Sequence, residues 1–121
     1  MKNLALLFTF SLFLFSCEKD YLVPKKEVPE WLRTKISQEE KIIKDSPQLM
    51  NSYGAWIRYQ WQNEYYFEYW NPLSSSSPKA YLTNGDTLPV SPWDTTTDYY
   101  KEKCCRQIIW KAPKYSEPDI I

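Results

Sequence analysis

AWIRYQWQNEYYFEYWN, residues 55–71, decides how the rest of the chain is read. Its apolar and polar side chains alternate on both sides of Gln62-Asn63-Glu64, so it reads as two antiparallel strands joined by a short loop. Two registers compete. A three-residue loop sets Trp61 against Tyr65, Tyr59 against Phe67 and Ile57 against Tyr69 on one face. The other face then pairs Gln60 with Tyr66, Arg58 with Glu68 and Trp56 with Trp70, joining opposite charges beside an aromatic pair. A two-residue loop instead puts Ile57 opposite Glu68 and Arg58 against Phe67. A slip of one residue mixes the faces, so the three-residue loop is the expected one, although Glu64 suits its left-handed position poorly.

Outward from this hairpin, residues 29–45 predict the one long helix. Pro29 suits a first turn, Glu30 meets the positive end of the dipole, and Glu40 and Lys44 are four apart. Leu32, Ile36 and Ile43 share a face with Trp31 beside it, and Asp45-Ser46-Pro47 ends the helix. After the hairpin, the serines at 74–77 read as a flexible connection. Asn84-Gly85 predicts a second hairpin over residues 79–88 with Tyr81 facing Leu88, and Pro89 and Pro92 end it or hold it at an edge. Thr95-Thr96-Thr97-Asp98 can cap one helical turn through Tyr100, and residues 105–111 are β-prone. Together these elements predict an α+β fold, one helix packed on a small antiparallel sheet of about four or five strands. The expected domain spans residues 29–113, with a C-terminal tail at 114–121.

The N-terminus speaks about location. Met1-Lys2-Asn3 is a short positive start, Leu4 to Phe15 is almost unbroken apolar sequence, and Ser16-Cys17 closes it. The run is shorter than the ~20 apolar residues that span a bilayer, and a small residue precedes the break as in a secretory signal. Leu14-Phe15-Ser16-Cys17 resembles the lipobox cut by the lipoprotein signal peptidase, with residues 1–16 removed and Cys17 acylated by palmitate-type chains. Residues 17–28 then read as a charged, lipidated tether. Glu18-Lys19-Asp20 also resembles the export signal of surface lipoproteins. The location expected is the bacterial cell envelope, at the outer membrane, on its periplasmic or surface face.

Of 121 residues, removing the first 16 leaves 105, enough for one small domain. The remaining chain has 14 Lys and Arg against 15 Asp and Glu. That balance exerts no general pull on nucleic acid, which is not expected as a partner. The order Trp31-Leu32-x-x-x-Ile36, a proline-containing loop, the aromatic hairpin and Tyr81-Leu82-Thr83-Asn84-Gly85 resembles short uncharacterised lipoproteins common in Bacteroidota. The resemblance covers roughly residues 29–88 and carries no activity with it. Where those proteins tend to have cysteines after the hairpin, this chain has serines.

The chemistry-bearing residues are few. There is no His, which removes the usual base of Ser and Cys hydrolases and the commonest metal ligand. With only Gly54 and Gly85, no glycine-rich phosphate loop can form. Glu64, Glu68, Asp86, Asp94 and Asp98 leave a glycosidase-type pair possible, though no spacing joins two of them. Asn84-Gly85-Asp86 supplies too few oxygen ligands for calcium. No cofactor or metal is expected. Cys104-Cys105 has three readings: a strained vicinal bridge, since adjacent Cα atoms lie about 3.8 Å apart against a usual ~4.4–6.8 Å; an intermolecular disulfide; or two thiols half buried on opposite faces of the final strand. The buried thiols are the expectation.

Function is expected to be non-enzymatic: a lipid-anchored binding or accessory module with the membrane as one partner and an envelope protein or glycan as another. Trp56, Tyr66 and Trp70, on the face opposite the expected core, are the candidate binding surface. A small carboxylate-based glycan hydrolase and an inhibitor of an envelope enzyme are the alternatives.

Overall fold

The computed structural model describes residues 21–74, 78–88 and 98–117. The signal segment, Cys17, residues 75–77, Pro89, Pro92, Asp94, the cap at residues 95–97 and residues 118–121 lie outside them. Helix α1 (Glu30–Asp45) starts on Pro29 as its N-cap and closes where the Ser46 N–H donates to the Ile42 carbonyl. Leu32, Ile36 and Ile43 are its buried residues, and each such side chain contributes about 1.5–3 kcal/mol by leaving water. Strands β1 (Ala55–Trp61), β2 (Glu64–Trp70), β3 (Ala80–Leu82) and β4 (Cys104–Lys111) form one antiparallel sheet in the order β3-β2-β1-β4. A short helix, α2 (Asp98–Glu102), precedes β4. The α+β architecture is thus as expected, with four strands.

Both hairpin registers differ from expectation by one residue. The first loop is two residues long: Gln62 and Asn63 take φ of 51° and 63°, as a type I′ turn requires at both central positions. Trp61 pairs with Glu64, Tyr59 with Tyr66, Arg58 with Phe67, Ile57 with Glu68 and Trp56 with Tyr69. The Arg58–Glu68 pair is therefore not made. The second loop is longer than its Asn-Gly signal suggests. Tyr81 bridges Thr87 rather than Leu88, the Leu82 N–H donates to the Asp86 carbonyl, and the Gly85 N–H to that of Leu82. Only Gly85 is left-handed there, at φ 95°, and one left-handed position suits a three-residue loop. Trp31 of α1 sits against Gly85 and donates from Nε1 to the Thr83 carbonyl at 2.7 Å.

Alternation along β1 and β2 then sends side chains to two covered faces. On one, Trp56, Phe67 and Tyr69 pack with Leu32, Ile36 and Ile43 of α1 and with Val23, Val28 and Trp110. A bulge between Trp56 and Ile57 lets Ile109 and its neighbour Trp110 both join that core. Tyr69 lies over Gly54, where a Cβ would collide with its phenol oxygen. On the other face Tyr66 packs with Ala80 and with Tyr99 of α2, the two phenol rings 5.0 Å apart at their centroids, and Trp61 closes on both.

The folded unit is wider than residues 29–113. Val23 and Val28 are core residues and the Leu22 N–H donates to the Ile109 carbonyl, so residues 21–28 belong to the fold rather than to a free tether. At the other end the Lys114 N–H donates to the Ser52 carbonyl and Arg106 pairs with Glu117 at 3.0 Å, which ties down the start of the expected tail.

The turn makes a direct prediction. Left-handed Gln costs energy that Asn or Gly largely avoids, so Gln62→Asn/Asn63→Gly should raise the thermal midpoint by about 4–8 °C, the equivalent of ~1 kcal/mol in a domain this small. An unchanged or lower midpoint contradicts the two-residue loop.

Candidate functional site

Of the residues expected to form a binding face, Trp56 and Tyr66 lie on opposite faces of the sheet and each is only 5% exposed. Trp70 shares the Tyr66 face and is half-buried. The two-residue turn explains the separation, because residues 56 and 66 fall on one face only in the three-residue register. Trp56, Tyr66 and Trp70 therefore do not make an exposed aromatic surface.

The polar groups worth attention are two buried charges, one on each face. Arg58, 5% exposed, lies on the α1 side. It donates from Nη2 to Gln107 Oε1 at 2.6 Å, stacks over the Tyr65 ring at 4.1 Å, and holds Nη1 3.6 Å from the Glu27 carboxylate. Gln107 answers one of its donors and Tyr65 and Glu27 answer its charge, while Nη1 is buried without a hydrogen-bond partner.

Glu68, also 5% exposed, lies on the α2 side and centres the richer cluster. Tyr99 donates its hydroxyl to Glu68 Oε2 at 2.8 Å, and the Lys103 ammonium donates to the same oxygen at 2.8 Å. Both donors reach it because Tyr99 and Lys103 are four apart around the end of α2, where the Lys103 N–H closes on the Tyr99 carbonyl. Three phenol rings surround that ammonium: Tyr59 at 4.1 Å, Tyr100 at 5.1 Å and Tyr99 at 5.6 Å from their centroids. Ring faces and a carboxylate are the chemistry that holds an ammonium, and here the chain's own lysine fills the cage. Burial, reinforced by the Glu68 charge, pushes the Tyr59, Tyr99 and Tyr100 hydroxyls up from their ordinary value. They stay protonated at neutral pH, so Tyr99 remains a donor.

The cysteines are neither buried nor free. Cys104 and Cys105 are exposed and bonded to each other as a vicinal disulfide at the start of β4. The reason is local backbone: Cys105 adopts φ 64°, outside the extended region, so the two side chains do not point to opposite faces as in a regular strand. Asn84 and Asp86 are occupied with each other in the turn, the Asn84 side chain accepting from the Asp86 N–H at 3.0 Å and donating to its carboxylate at 3.1 Å. Glu64 and Asp98 are exposed, while Glu68 is buried with its lysine. Among the described residues no group of three or more His, Cys, Asp or Glu is placed to hold a metal ion, and no helix is long and apolar enough to cross a membrane.

A separate feature stands at the opposite end of the sheet from the hairpin turns. Asn71 donates to the Met50 carbonyl at 2.8 Å and accepts from the Leu73 N–H at 3.0 Å, drawing two loops together. Leu49, Met50 and Leu73 are 45%, 45% and 58% exposed there. No family model matches the chain, and neither a curated protein nor a solved structure matches it.

The Glu68 cluster predicts a non-additive pair of variants. Lys103→Ala should destabilise the fold by about 3 kcal/mol, the low end for breaking a buried pair because Lys103 keeps one side toward water. Glu68→Gln/Lys103→Met, which removes both charges and keeps an acceptor for Tyr99, should recover at least half of that loss in urea unfolding. A Lys103→Ala variant as stable as the parent protein contradicts the pairing.

Proposed function

We propose that this chain is a lipid-anchored protein of the bacterial envelope that acts by binding rather than by catalysis. The observation that carries the reading is the N-terminal segment ending in Leu14-Phe15-Ser16-Cys17, with the short charged stretch that follows it. Acyl chains contribute about 0.8 kcal/mol per buried methylene, and two or more of them anchor a protein stably. The described fold begins close by: from Cys17 to Tyr21 is four residues, at most about 14 Å of extended chain. The domain therefore works against or near the bilayer surface, at the outer membrane on one of its two faces.

The exposed apolar side chains Leu49, Met50 and Leu73 supply the contact surface in place of the aromatic face. Exposed apolar residues brought onto neighbouring loops mark sites of association, and Asn71 ties these two loops together through the Met50 carbonyl and the Leu73 N–H. The partner class this favours is an envelope protein.

The test is fractionation and crosslinking in intact cells. Cys17→Ala should move the protein from the membrane pellet to the soluble fraction, and retention in the pellet overturns the anchor. With the anchor intact, Leu49→Ser/Met50→Ser/Leu73→Ser should lose crosslinked partners that the parent protein captures. Identical partner sets overturn the assigned surface.

A further inference from the structure

The vicinal disulfide sits inside a β-bulge that follows directly on Lys103, the residue joining the end of α2 to β4. Along the β1–β4 pairing, Gln60 faces Cys104 and Arg58 faces Gln107. One residue of β1, Tyr59, is thus set against two of β4, Cys105 and Arg106. The bulge is where Cys105 turns left-handed at φ 64°, a conformation costly to any residue with a Cβ. Its effect is on phase. If β4 ran back from Arg106 through Lys103 in regular alternation, the two residues would lie on opposite faces, yet Lys103 covers the Tyr59 ring and Arg106 stands opposite the same residue. The Lys103 ammonium is 4.1 Å from the ring centroid, and Arg106 stands opposite Tyr59 across the bulge. From Gln107 onward β4 is held in register by its pairs with Arg58, Ile57, Trp56 and Ala55. Any change of phase at the bulge must therefore be taken up on the Lys103 side.

We propose that Cys104–Cys105 is a thiol-exchange site for a dithiol reductant, and that its oxidation state decides whether Lys103 is seated on Glu68. Both cysteines are exposed, so an incoming thiolate has access to the sulfurs. A thiolate of the reductant attacks one sulfur, the Cys104–Cys105 bond breaks, and the leaving sulfur takes up a proton. The reductant's second thiolate then attacks the mixed disulfide and releases the other cysteine, which is protonated in turn. The products are two protein thiols and the reductant's own disulfide, two electrons and two protons having passed to the protein. With the ring opened, nothing covalent holds Cys105 left-handed. The residue relaxes to extended backbone, the bulge is lost, and Lys103 swings away from the Glu68 carboxylate and the three phenol rings. The site takes a dithiol as its reaction partner, and its output is the opening of a buried carboxylate 6% exposed at its side chain.

The experiment uses the purified protein under native conditions with dithiothreitol as the probe. Iodoacetamide should add nothing to Cys104 and Cys105 before reduction and two groups after it, read by intact mass. A brief pulse of an amine-acylating reagent, read by peptide mass spectrometry, should then label Lys103 weakly relative to exposed Lys41 in the oxidised protein. The same ratio should rise severalfold after reduction. Cys104→Ser/Cys105→Ser should show the high ratio without reductant, and if that variant does not fold the reduction of the parent protein decides alone. Alkylation of both cysteines without reductant, failure of dithiothreitol to reduce the folded protein, or a Lys103 ratio unmoved by complete reduction each overturns the proposal.

Discussion

The register of the central hairpin is the constraint on which the other features depend. Because a strand alternates its side chains, turning the chain at Gln62 and Asn63 alone commits Arg58 to the face of Phe67 and Glu68 to the face of Ile57. Each charge is buried among aromatic and aliphatic neighbours and cannot reach the other through the sheet. Leaving either unanswered would cost several kcal/mol. The fold answers them separately, with Gln107, Tyr65 and Glu27 around Arg58 and with Tyr99 and Lys103 on Glu68.

That division makes sense of parts that otherwise look peripheral. The turn at Lys25–Glu27 is held where Val23 and Val28 enter the core, and it brings Glu27 to Arg58. Helix α2 is only five residues long, yet with Lys103 directly after it a hydroxyl and an ammonium reach one carboxylate oxygen from positions four apart. The bulge at Cys105 then sets Arg106 opposite the same tyrosine that Lys103 covers. A sheet with both faces buried needs a cover on each side. Here α1 is the apolar cover, and α2 with its flanking residues is the polar one.

Much of this was legible in the chain. The apolar spacing of Leu32, Ile36 and Ile43, with Pro29 and Glu30 before them, predicts α1 nearly to the residue. The two hairpins and the last strand also follow from alternation and turn residues. The registers did not follow, for a physical reason. Pairing Arg58 with Glu68 looks favourable when only two strands are considered, but the side chains that hydrogen-bond each charge lie 31 to 49 positions away in sequence. Local turn chemistry disfavours a loop with Glu64 in its left-handed position, and in the folded chain it outweighs the cross-strand pairing. The misplacement of Trp56, Tyr66 and Trp70 on one face is a direct consequence of the same slip. Tyr99 and Lys103 carried a usable signal in their four-residue spacing after Asp98. Of the three readings of Cys104-Cys105, the bond between the two sulfurs decides for the vicinal disulfide, and the left-handed backbone at Cys105 accommodates it.

The most direct measurement is therefore the pairing of β1 with β2 in solution. Cross-strand Hα–Hα contacts in nuclear Overhauser spectra should join Arg58 to Phe67 and Gln60 to Tyr65. Contacts joining Arg58 to Glu68 would restore the three-residue loop, return the two charges to one face, and contradict the account of why each face carries its own counter-charge.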